Sequence, residues 1–133
     1  MGEVRAKVKF INIFDEYLKK DKIKQFELDC LIDSGAVITL LPKEVVDLLE
    51  LPDSGSVIVT FAEERKEQLK KVGPVKIQIS DRSGNFDCVV GPPNCEPLIG
   101  QIVLEELDLI IDAKEQKLIV RPESPFLPLV KMK

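Results

Sequence analysis

The stretch that decides the fold is Leu31-Ile32-Asp33-Ser34-Gly35-Ala36-Val37-Ile38-Thr39. It places a carboxyl group at the end of an apolar run and follows it with a hydroxyl and a glycine. A serine hydroxyl can fix a loop by bonding to its backbone, and a glycine allows a sharp turn and the close approach of another chain. The tripeptide Asp33-Ser34-Gly35 is therefore the first candidate for a chemically active site.

A second copy of the tripeptide, Asp53-Ser54-Gly55, follows the first along the chain. It lies between a predicted helix and a predicted strand, without an apolar strand leading into it, so a turn between those elements accounts for it. From average residue usage, an Asp-Ser-Gly or Asp-Thr-Gly tripeptide arises by chance in roughly one chain in twenty of this length. The tripeptide alone therefore identifies no site, and the surrounding sequence has to decide.

The segments before Asp33 alternate between apolar and polar residues, which is typical of half-buried strands. Their apolar positions are Val4, Ala6, Val8 and Phe10, then Phe26, Leu28, Cys30 and Ile32. Asp15 to Lys22, between these two strands, is expected to be a hairpin connection. Further strands are expected over 37–41, 56–62, 75–79, 86–90, 109–111 and 118–120, and helices over 42–49 and 101–107. The pattern predicts a mostly β domain with about seven to nine short strands and one or two short helices.

The chain has 133 residues, of which 44% are hydrophobic and 32% charged, with a net charge of −4. This length suits one domain, and the composition is neither that of a disordered chain nor that of a membrane protein. Mild acidity argues against binding nucleic acid, which needs a clustered basic face. No apolar run approaches the ~18 residues of a membrane span. We therefore expect neither a nucleic-acid partner, because of the charge, nor a membrane partner, because of the short apolar runs.

The chain contains no histidine, which excludes a Ser-His-Asp or Cys-His nucleophile and any zinc site with histidine ligands. Its three cysteines, Cys30, Cys88 and Cys95, are scattered through apolar segments, which fits a reducing cytoplasm better than a disulfide framework. A metal site on these thiols is the alternative, but no fourth soft ligand is apparent, and buried cysteines that pack as small hydrophobes are expected instead. No cofactor or metal is therefore expected, and carboxylates, hydroxyls or lysines must carry any hydrolytic chemistry.

A further apolar segment, Pro97-Leu98-Ile99-Gly100, precedes the predicted helix 101–107. An apolar strand into Asp-Ser-Gly-Ala, a hairpin, and then two apolar residues and a glycine before a short helix is the pattern of the retropepsin-like aspartic proteases. Over about residues 23–120 the chain resembles this family, which includes the retroviral proteases. One departure is the predicted hairpin tip, because Ala62-Glu63-Glu64-Arg65 contains no glycine, whereas many relatives carry glycine there.

The resemblance implies a retropepsin-like acid-protease barrel with a hairpin flap in residues 1–121, followed by a Pro-rich tail in residues 122–133. The tail is expected to be disordered or to contribute a strand to the dimer interface. A further alternative is a self-processing segment, since Phe126-Leu127-Pro128 is an apolar sequence ahead of proline. By resemblance, Asp33, Ser34 and Gly35 are the catalytic residues. The residues expected to contact substrate are Ala36, Phe61, Ala62, Glu63 and Ile99.

The family hydrolyses peptide bonds with two aspartates that hold one water, one as general base and the other, protonated, as general acid. Two carboxylates about 3.5 Å apart repel by roughly 4–5 kcal/mol at an effective dielectric near 20, so the pair shares a proton. Since this chain offers one such aspartate, the resemblance implies a homodimer in which each copy supplies Asp33. The expected function is a cytoplasmic aspartic endopeptidase that acts on peptides or proteins. The alternative is a catalytically inactive dimer of the same fold that binds peptide or a partner protein.

Overall fold

Nine strands and three short helices occur in residues 3–132, the part of the chain that the computed structural model describes. Strands hold 47% of the residues and helices 15%, which confirms the prediction of a mostly β fold. In chain order the elements are β1 (Arg5–Ile11), α1 (Ile13–Tyr17), β2 (Gln25–Ile32), β3 (Thr39–Pro42), α2 (Lys43–Leu49), β4 (Asp53–Thr60), β5 (Lys66–Ile79), β6 (Arg82–Gly91), β7 (Leu98–Ile99), α3 (Gln101–Leu107), β8 (Leu109–Asp112) and β9 (Lys117–Val120). No helix in this part of the chain has the length and apolarity that crossing a membrane requires.

Seven of the strands form one sheet in the order β1-β2-β7-β3-β6-β5-β4. β1 also pairs with β5, so the sheet curls back on itself and encloses its apolar face. The remaining strands, β8 and β9, pair with each other as a hairpin. The strand order leaves β4 at an edge, where it extends the hairpin that it forms with β5.

The short strand β7 connects two parts of the sheet that are distant in sequence. It pairs in parallel with β2, where Leu31 faces Leu98 and Ile32 faces Ile99, and it pairs antiparallel with β3. β2 and β3 are therefore not neighbours, although only residues 33–38 separate them along the chain. Those residues have to pass around the end of β7, which fixes where the Asp33 loop lies.

The core fills the space between the curled sheet and helices α2 and α3. Both helices bury side chains at helical spacing, as their sequences predicted. Pro42 precedes α2 in an extended conformation, and Gly100 does the same for α3. The largest fully buried side chains are Phe10, Leu41, Leu49, Ile77, Ile99, Leu107, Val8, Val75 and Val103.

Helix α1 differs from the sequence prediction, which assigned residues 15–22 to a hairpin connection. The side chain of Asn12 accepts the N–H groups of Phe14 at 2.9 Å and Asp15 at 3.0 Å, and its own amide donates to the carbonyl of Leu49 at 2.8 Å. A cap of this kind starts a helix, and a helix of little more than one turn is too short to show helical periodicity in the sequence. The described chain has three helices rather than one or two.

Strands β4 and β5 are both longer than the sequence predicted. β4 begins at Asp53, so the second Asp-Ser-Gly copy lies at the start of a strand rather than in a turn before it. β5 continues through Gly73 and Pro74, where a register shift between Val72 and Val75 accommodates the proline within the ladder. The result is one long hairpin in place of two shorter segments.

The Pro-rich tail has no regular secondary structure over residues 122–132, the part of it that the structure describes, yet it is bound to the end of α3. The carboxylate of Asp108 accepts hydrogen bonds from Arg121 at 2.7 and 3.2 Å, from the Ser124 hydroxyl, and from the N–H of Leu129 at 2.9 Å. Arg121, then Ser124 and Leu129, hold the pKa of Asp108 well below its ordinary value. The tail is therefore bound to the domain as far as Leu129.

Candidate active site

The Asp33 loop, residues 33–38, begins where β2 ends and is shaped by hydrogen bonds of its own backbone. The N–H of Asp33 donates to the carbonyl of Ile99 on β7 at 3.0 Å, so the aspartate continues the β2–β7 ladder. The N–H of Ala36 donates to the Asp33 carbonyl at 3.1 Å, and the N–H of Gly35 donates to Asp33 Oδ1 at 2.9 Å. The carboxyl group is thus fixed by the residues that follow it.

The start of α3 holds the far side of the same loop. The N–H of Gln101 donates to the carbonyl of Ala36 at 2.6 Å, and the N–H of Ile102 donates to the carbonyl of Val37 at 3.1 Å. These N–H groups lie in the first turn of the helix, where no partner exists within the helix itself. The loop carbonyls satisfy them, so α3 and the Asp33 loop position each other.

Gly100 lies where the backbone of the Asp33 loop leaves no room for a side chain. A Cβ atom there would lie 2.7 Å from the carbonyl carbon of Ile38 and 2.8 Å from the carbonyl oxygen of Val37, so a side chain would displace the backbone. The N–H of Gly100 donates to Oγ1 of Thr39 at 3.1 Å, and Thr39 is 2% exposed. Thr39 is a positioning residue that the sequence prediction missed. Its one signal is a hydroxyl inside an apolar run.

The side of the loop that faces away from β7 is open. Asp33 is half-buried, whereas Ser34 and Gly35 are exposed. Within residues 3–132, the hydrogen bond from Gly35 is the only one that the Asp33 carboxylate accepts. The three predicted catalytic residues therefore lie together, and a carboxyl and a hydroxyl group are accessible to a second molecule.

Ile99 does not lie where the sequence pattern placed it. It was expected to contact substrate, but its side chain is 0% exposed and belongs to the core. Successive side chains of a strand point to opposite faces, so the half-buried Leu98 occupies the other face of β7. Ile99 contributes its carbonyl group, which accepts the N–H of Asp33, and is a positioning residue. In a strand of two apolar residues, the sequence does not show which one turns inward.

The other residues expected to contact substrate divide between the loop and the β4–β5 hairpin. Ala36 is half-buried in the loop, whereas Phe61, Ala62 and Glu63 lie at the hairpin tip. In the described part of the chain, no hydrogen bond joins this tip to the Asp33 loop. The tip closes on itself, because the N–H of Phe61 donates to the Arg65 carbonyl at 2.8 Å and the Arg65 guanidinium lies 4.5 Å from the centre of the Phe61 ring.

The three cysteines lie outside the Asp33 loop. Cys30 and Cys88 are buried, and Cys95 is half-buried. Loss of solvation raises the pKa of the Cys30 thiol to about 12 and that of the Cys88 thiol well above its ordinary value, so both stay protonated at neutral pH. Among residues 3–132, no three cysteine or acidic side chains are grouped in a way that could hold a metal ion.

Comparisons with known proteins bear on the fold. No protein-family model matches the chain, and no curated protein matches it. Among solved structures, the chain resembles the EIAV protease in complex with the inhibitor HBY-793, with a TM-score of 0.58 and 18% sequence identity over 80% of this chain and 88% of that protein. At this sequence identity, the structural similarity shows the fold alone. It confirms the predicted fold class, and the chain therefore has a retropepsin-like fold.

Proposed function

We propose that the chain is an aspartic endopeptidase that hydrolyses peptide bonds as a homodimer. The observation that carries this proposal is the construction of the Asp33 loop, in which β7 and α3 hold a half-buried carboxylate beside an exposed hydroxyl. A reactive side chain has to be held in place by a rigid support of this kind. A surface turn without a chemical role does not require such a support. The retropepsin-like fold agrees with this function.

In the proposed reaction, two Asp33 carboxyl groups, one from each copy, hold a water molecule. The ionised carboxylate takes a proton from the water as the water oxygen bonds to the substrate carbonyl carbon, and the protonated carboxyl gives its proton to the carbonyl oxygen. The resulting diol then collapses: one of its hydroxyl groups returns its proton to the ionised carboxylate, the C–N bond breaks, and the nitrogen leaves with the proton of the other carboxyl group. The products are a carboxylic acid and an amine, and the pair again holds one proton.

A second copy is required because each chain supplies one aspartate of this kind. Repulsion of about 4–5 kcal/mol between two adjacent carboxylates keeps one proton on the pair, so base and acid coexist and titrate as a unit. Ser34 and Gly35 are exposed, and the lack of a side chain at Gly35 lets the loop of a second copy come close. The Ser34 hydroxyls then bond across the two loops.

The substrate lies extended between the two loops and the two β4–β5 hairpins, where it pairs through its backbone as an added strand. β4 is an edge strand with free backbone groups for such pairing. In this arrangement the hairpin acts as a flap, with Ala36 on the loop side of the substrate and Phe61, Ala62 and Glu63 on the flap side.

Subunit mixing tests the proposal directly. Asp33→Asn should lower peptide hydrolysis at least about 100-fold, while sedimentation shows the same dimer for both proteins. After exchange with an equal amount of wild type, about a quarter of the dimers keep two aspartates, so activity should fall to about a quarter of that of the same total of wild type. A fall to one half, or equal activity of the two proteins, would remove the shared pair from the mechanism.

The second candidate is a dimer that binds peptide without cleaving it. The observation in its favour is the hairpin tip, where Glu64 adopts a positive φ of 60° without being glycine and Arg65 stacks on Phe61. A tip that is locked on itself closes over substrate less readily than a glycine-rich one. This candidate would be favoured if wild type and Asp33→Asn bound the same peptides with equal affinity and neither protein cleaved them.

A further inference from the structure

The face of the sheet that carries Asp33 continues along β2, away from the loop. Successive residues of a strand point to opposite faces, and Cys30 and Ile32 are 0% and 5% exposed in the core. Asp29, Leu31 and Asp33 therefore share the outer face, since Asp33 continues the ladder through its bond to β7. A peptide bound over Asp33 lies next to these side chains.

Leu31 and Leu98 form an apolar step beside Asp33. They face each other across the β2–β7 ladder, and both are half-buried, so part of each side chain is uncovered. Methylene groups of a bound side chain can pack on this step, because apolar surface is then removed from water.

Arg5 lies at the far edge of the step, opposite Leu31 in the β1–β2 ladder. Its guanidinium donates through Nε to Asp29 Oδ2 at 2.8 Å, through Nη1 to Glu96 Oε2 at 2.7 Å, and through Nη2 to the Asp29 carbonyl at 3.3 Å. All three nitrogens of the guanidinium are engaged. Arg5 therefore acts as a clamp that fixes Glu96, two residues before Leu98, rather than as a free cation.

The charge around the apolar step is negative. Glu3 also lies 3.7 Å from Arg5, and Lys7 faces Asp29 in the ladder, so three carboxylates stand against two cations. The side chains of Asp29 and Glu96 are 59% and 48% exposed. Within residues 3–132, Asp29 Oδ1 and Glu96 Oε1 accept no hydrogen bond, so each can accept one from a ligand.

We propose that this face is a side-chain subsite of the cleft and that it selects substrates with a lysine or arginine next to the cleaved bond. The proposal rests on the endopeptidase function proposed above. The stem of the basic side chain packs on Leu31 and Leu98, and its charged end reaches Glu96, whose free oxygen accepts a charge-assisted hydrogen bond. An acidic substrate side chain would add a further carboxylate to this surface and is disfavoured.

Matched peptides test the subsite. A peptide that wild type cleaves is remade with lysine, norleucine or glutamate at each position flanking the cleaved bond, and kcat/KM is measured for each version. Norleucine keeps the stem of lysine and lacks its charge. We expect lysine to exceed norleucine by about two- to fivefold at one position, the size of one exposed contact between charged groups, and glutamate to be poorest. Equal values for lysine and norleucine at every position would overturn the proposal.

Substitution of Glu96 separates selection from a structural effect. Glu96→Gln should lower the ratio of kcat/KM for the lysine peptide to that for the norleucine peptide to about one, and Glu96→Lys should reverse the preference toward glutamate. Glu115→Gln removes an exposed carboxylate in the turn between β8 and β9 and is the matched control, which should change neither peptide. An equal loss for both peptides in Glu96→Gln would show that Glu96 only supports the fold, and the subsite would be rejected.

Binding measurements keep the two proposals apart. A library of lysine-scanned peptides and their norleucine counterparts is titrated against Asp33→Asn by fluorescence anisotropy. Tighter binding of lysine peptides, without cleavage by wild type, would contradict the endopeptidase and support the subsite. Cleavage that depends on Asp33 but is indifferent to lysine would support the endopeptidase and contradict the subsite. Neither cleavage nor a lysine preference in binding would overturn both.

Discussion

The tripeptide Asp-Ser-Gly occurs twice in the chain, and both copies contain the same hydrogen bond between the aspartate side chain and the glycine N–H. In the first, the N–H of Gly35 donates to Asp33 Oδ1 at 2.9 Å, and in the second, the N–H of Gly55 donates to Asp53 Oδ1 at 2.8 Å. Both are Asx turns, in which the aspartate side chain bonds to the backbone N–H two residues on, although the second copy lies within the first residues of β4. The turn itself therefore does not distinguish a candidate site from an ordinary connection.

The surroundings of the two turns are what differ. The N–H of Asp33 in the first copy bonds to β7, and the loop carbonyls that follow it, at Ala36 and Val37, bond to α3. Both partners come from the last third of the chain. The second copy begins the edge strand β4, where Asp53, Ser54 and Gly55 are all exposed and Lys70 lies 3.9 Å from the Asp53 carboxylate. A short motif specifies a turn, and the distant segments that enclose it make it a candidate site.

The sequence predicted that the glycine of the first copy, Gly35, allows a sharp turn, but the conformations of the two glycines show the reverse. Gly55 has a φ of 122°, which other residues rarely adopt, whereas Gly35 has no positive φ. A Cβ atom at Gly35 would meet only Asp33 Oδ1, at 3.2 Å. The sharp turn that glycine usually allows is therefore needed in the second copy. In the first, the small size of Gly35 agrees with the proposed approach of another copy.

Replacing each aspartate should give the largest difference between the two copies. Asp33→Asn should lower kcat/KM at least about 100-fold, because an amide can neither take nor share the proton. Asp53→Asn should stay within about twofold, as an exposed substitution away from the site. Peptide cleavage and thermal unfolding of both variants check this. Equal losses of activity would mean that the enclosing segments do not matter.

Gly100→Ala should destabilise the fold by about 3 kcal/mol, because the new methyl group has to displace the backbone of Ile38. The free energy of unfolding in urea measures the effect. Gly35→Ala, in the same loop, where the added methyl group would meet only the side-chain carboxylate of Asp33 at 3.2 Å, is the control and should stay within about 0.5 kcal/mol. A loss below about 1 kcal/mol at Gly100 would show that the close packing of β7 against the loop is not rigid.

Thr39→Val should cost about 2 kcal/mol, because it leaves the buried N–H of Gly100 without an acceptor. Thr39→Ser keeps the hydroxyl and should retain most of the stability and, if the loop is the active site, most of the peptide hydrolysis. Denaturation and cleavage measured on both variants separate the hydrogen bond from the methyl group. Equal effects of Val and Ser would assign the role of Thr39 to packing.

Gly55→Ala should cost about 1 kcal/mol, from backbone strain alone, since nothing lies within 4 Å of the added methyl group. Gly35→Ala lacks that strain and should cost less in stability, while lowering dimer affinity if the two loops meet there. Unfolding and sedimentation measured together decide this. A larger loss of stability at Gly35 than at Gly55 would contradict the backbone argument.

Much of the fold could be predicted from the sequence because alternation and helical spacing report directly on burial. β1, β2, α2, α3 and the β8–β9 hairpin lie close to where the pattern placed them. α1 was missed because a capped single turn carries no period. The length of β5 was missed because only Val75, Ile77 and Ile79 alternate cleanly, while the strand starts at Lys66 and a register shift between Val72 and Val75 keeps it continuous.

The candidate site was predictable only in part. The pattern predicted Asp33, because an apolar strand, the tripeptide and a later apolar-apolar-glycine segment occur in one order. It predicted that the Ile99 side chain faces the substrate, whereas this side chain faces the core. Two adjacent apolar residues show no alternation that would indicate which of them is buried. It missed Thr39, because a threonine in a strand is common and its partner, Gly100, is distant in sequence. Tertiary contacts determine which way the Ile99 side chain points and which group the Thr39 hydroxyl bonds, and a local sequence pattern does not contain these contacts.

The insertion of β7 between β2 and β3 has a consequence for how the protein is made. Asp33 leaves the ribosome long before residues 97–102, and its loop cannot acquire the bonds to Ile99, Gln101 and Ile102 until then. Such pairings between remote segments form late, because a long stretch of chain must first be brought together. A nascent chain that has emerged only as far as the β4–β5 hairpin therefore carries the whole Asp-Ser-Gly sequence without the scaffold around it.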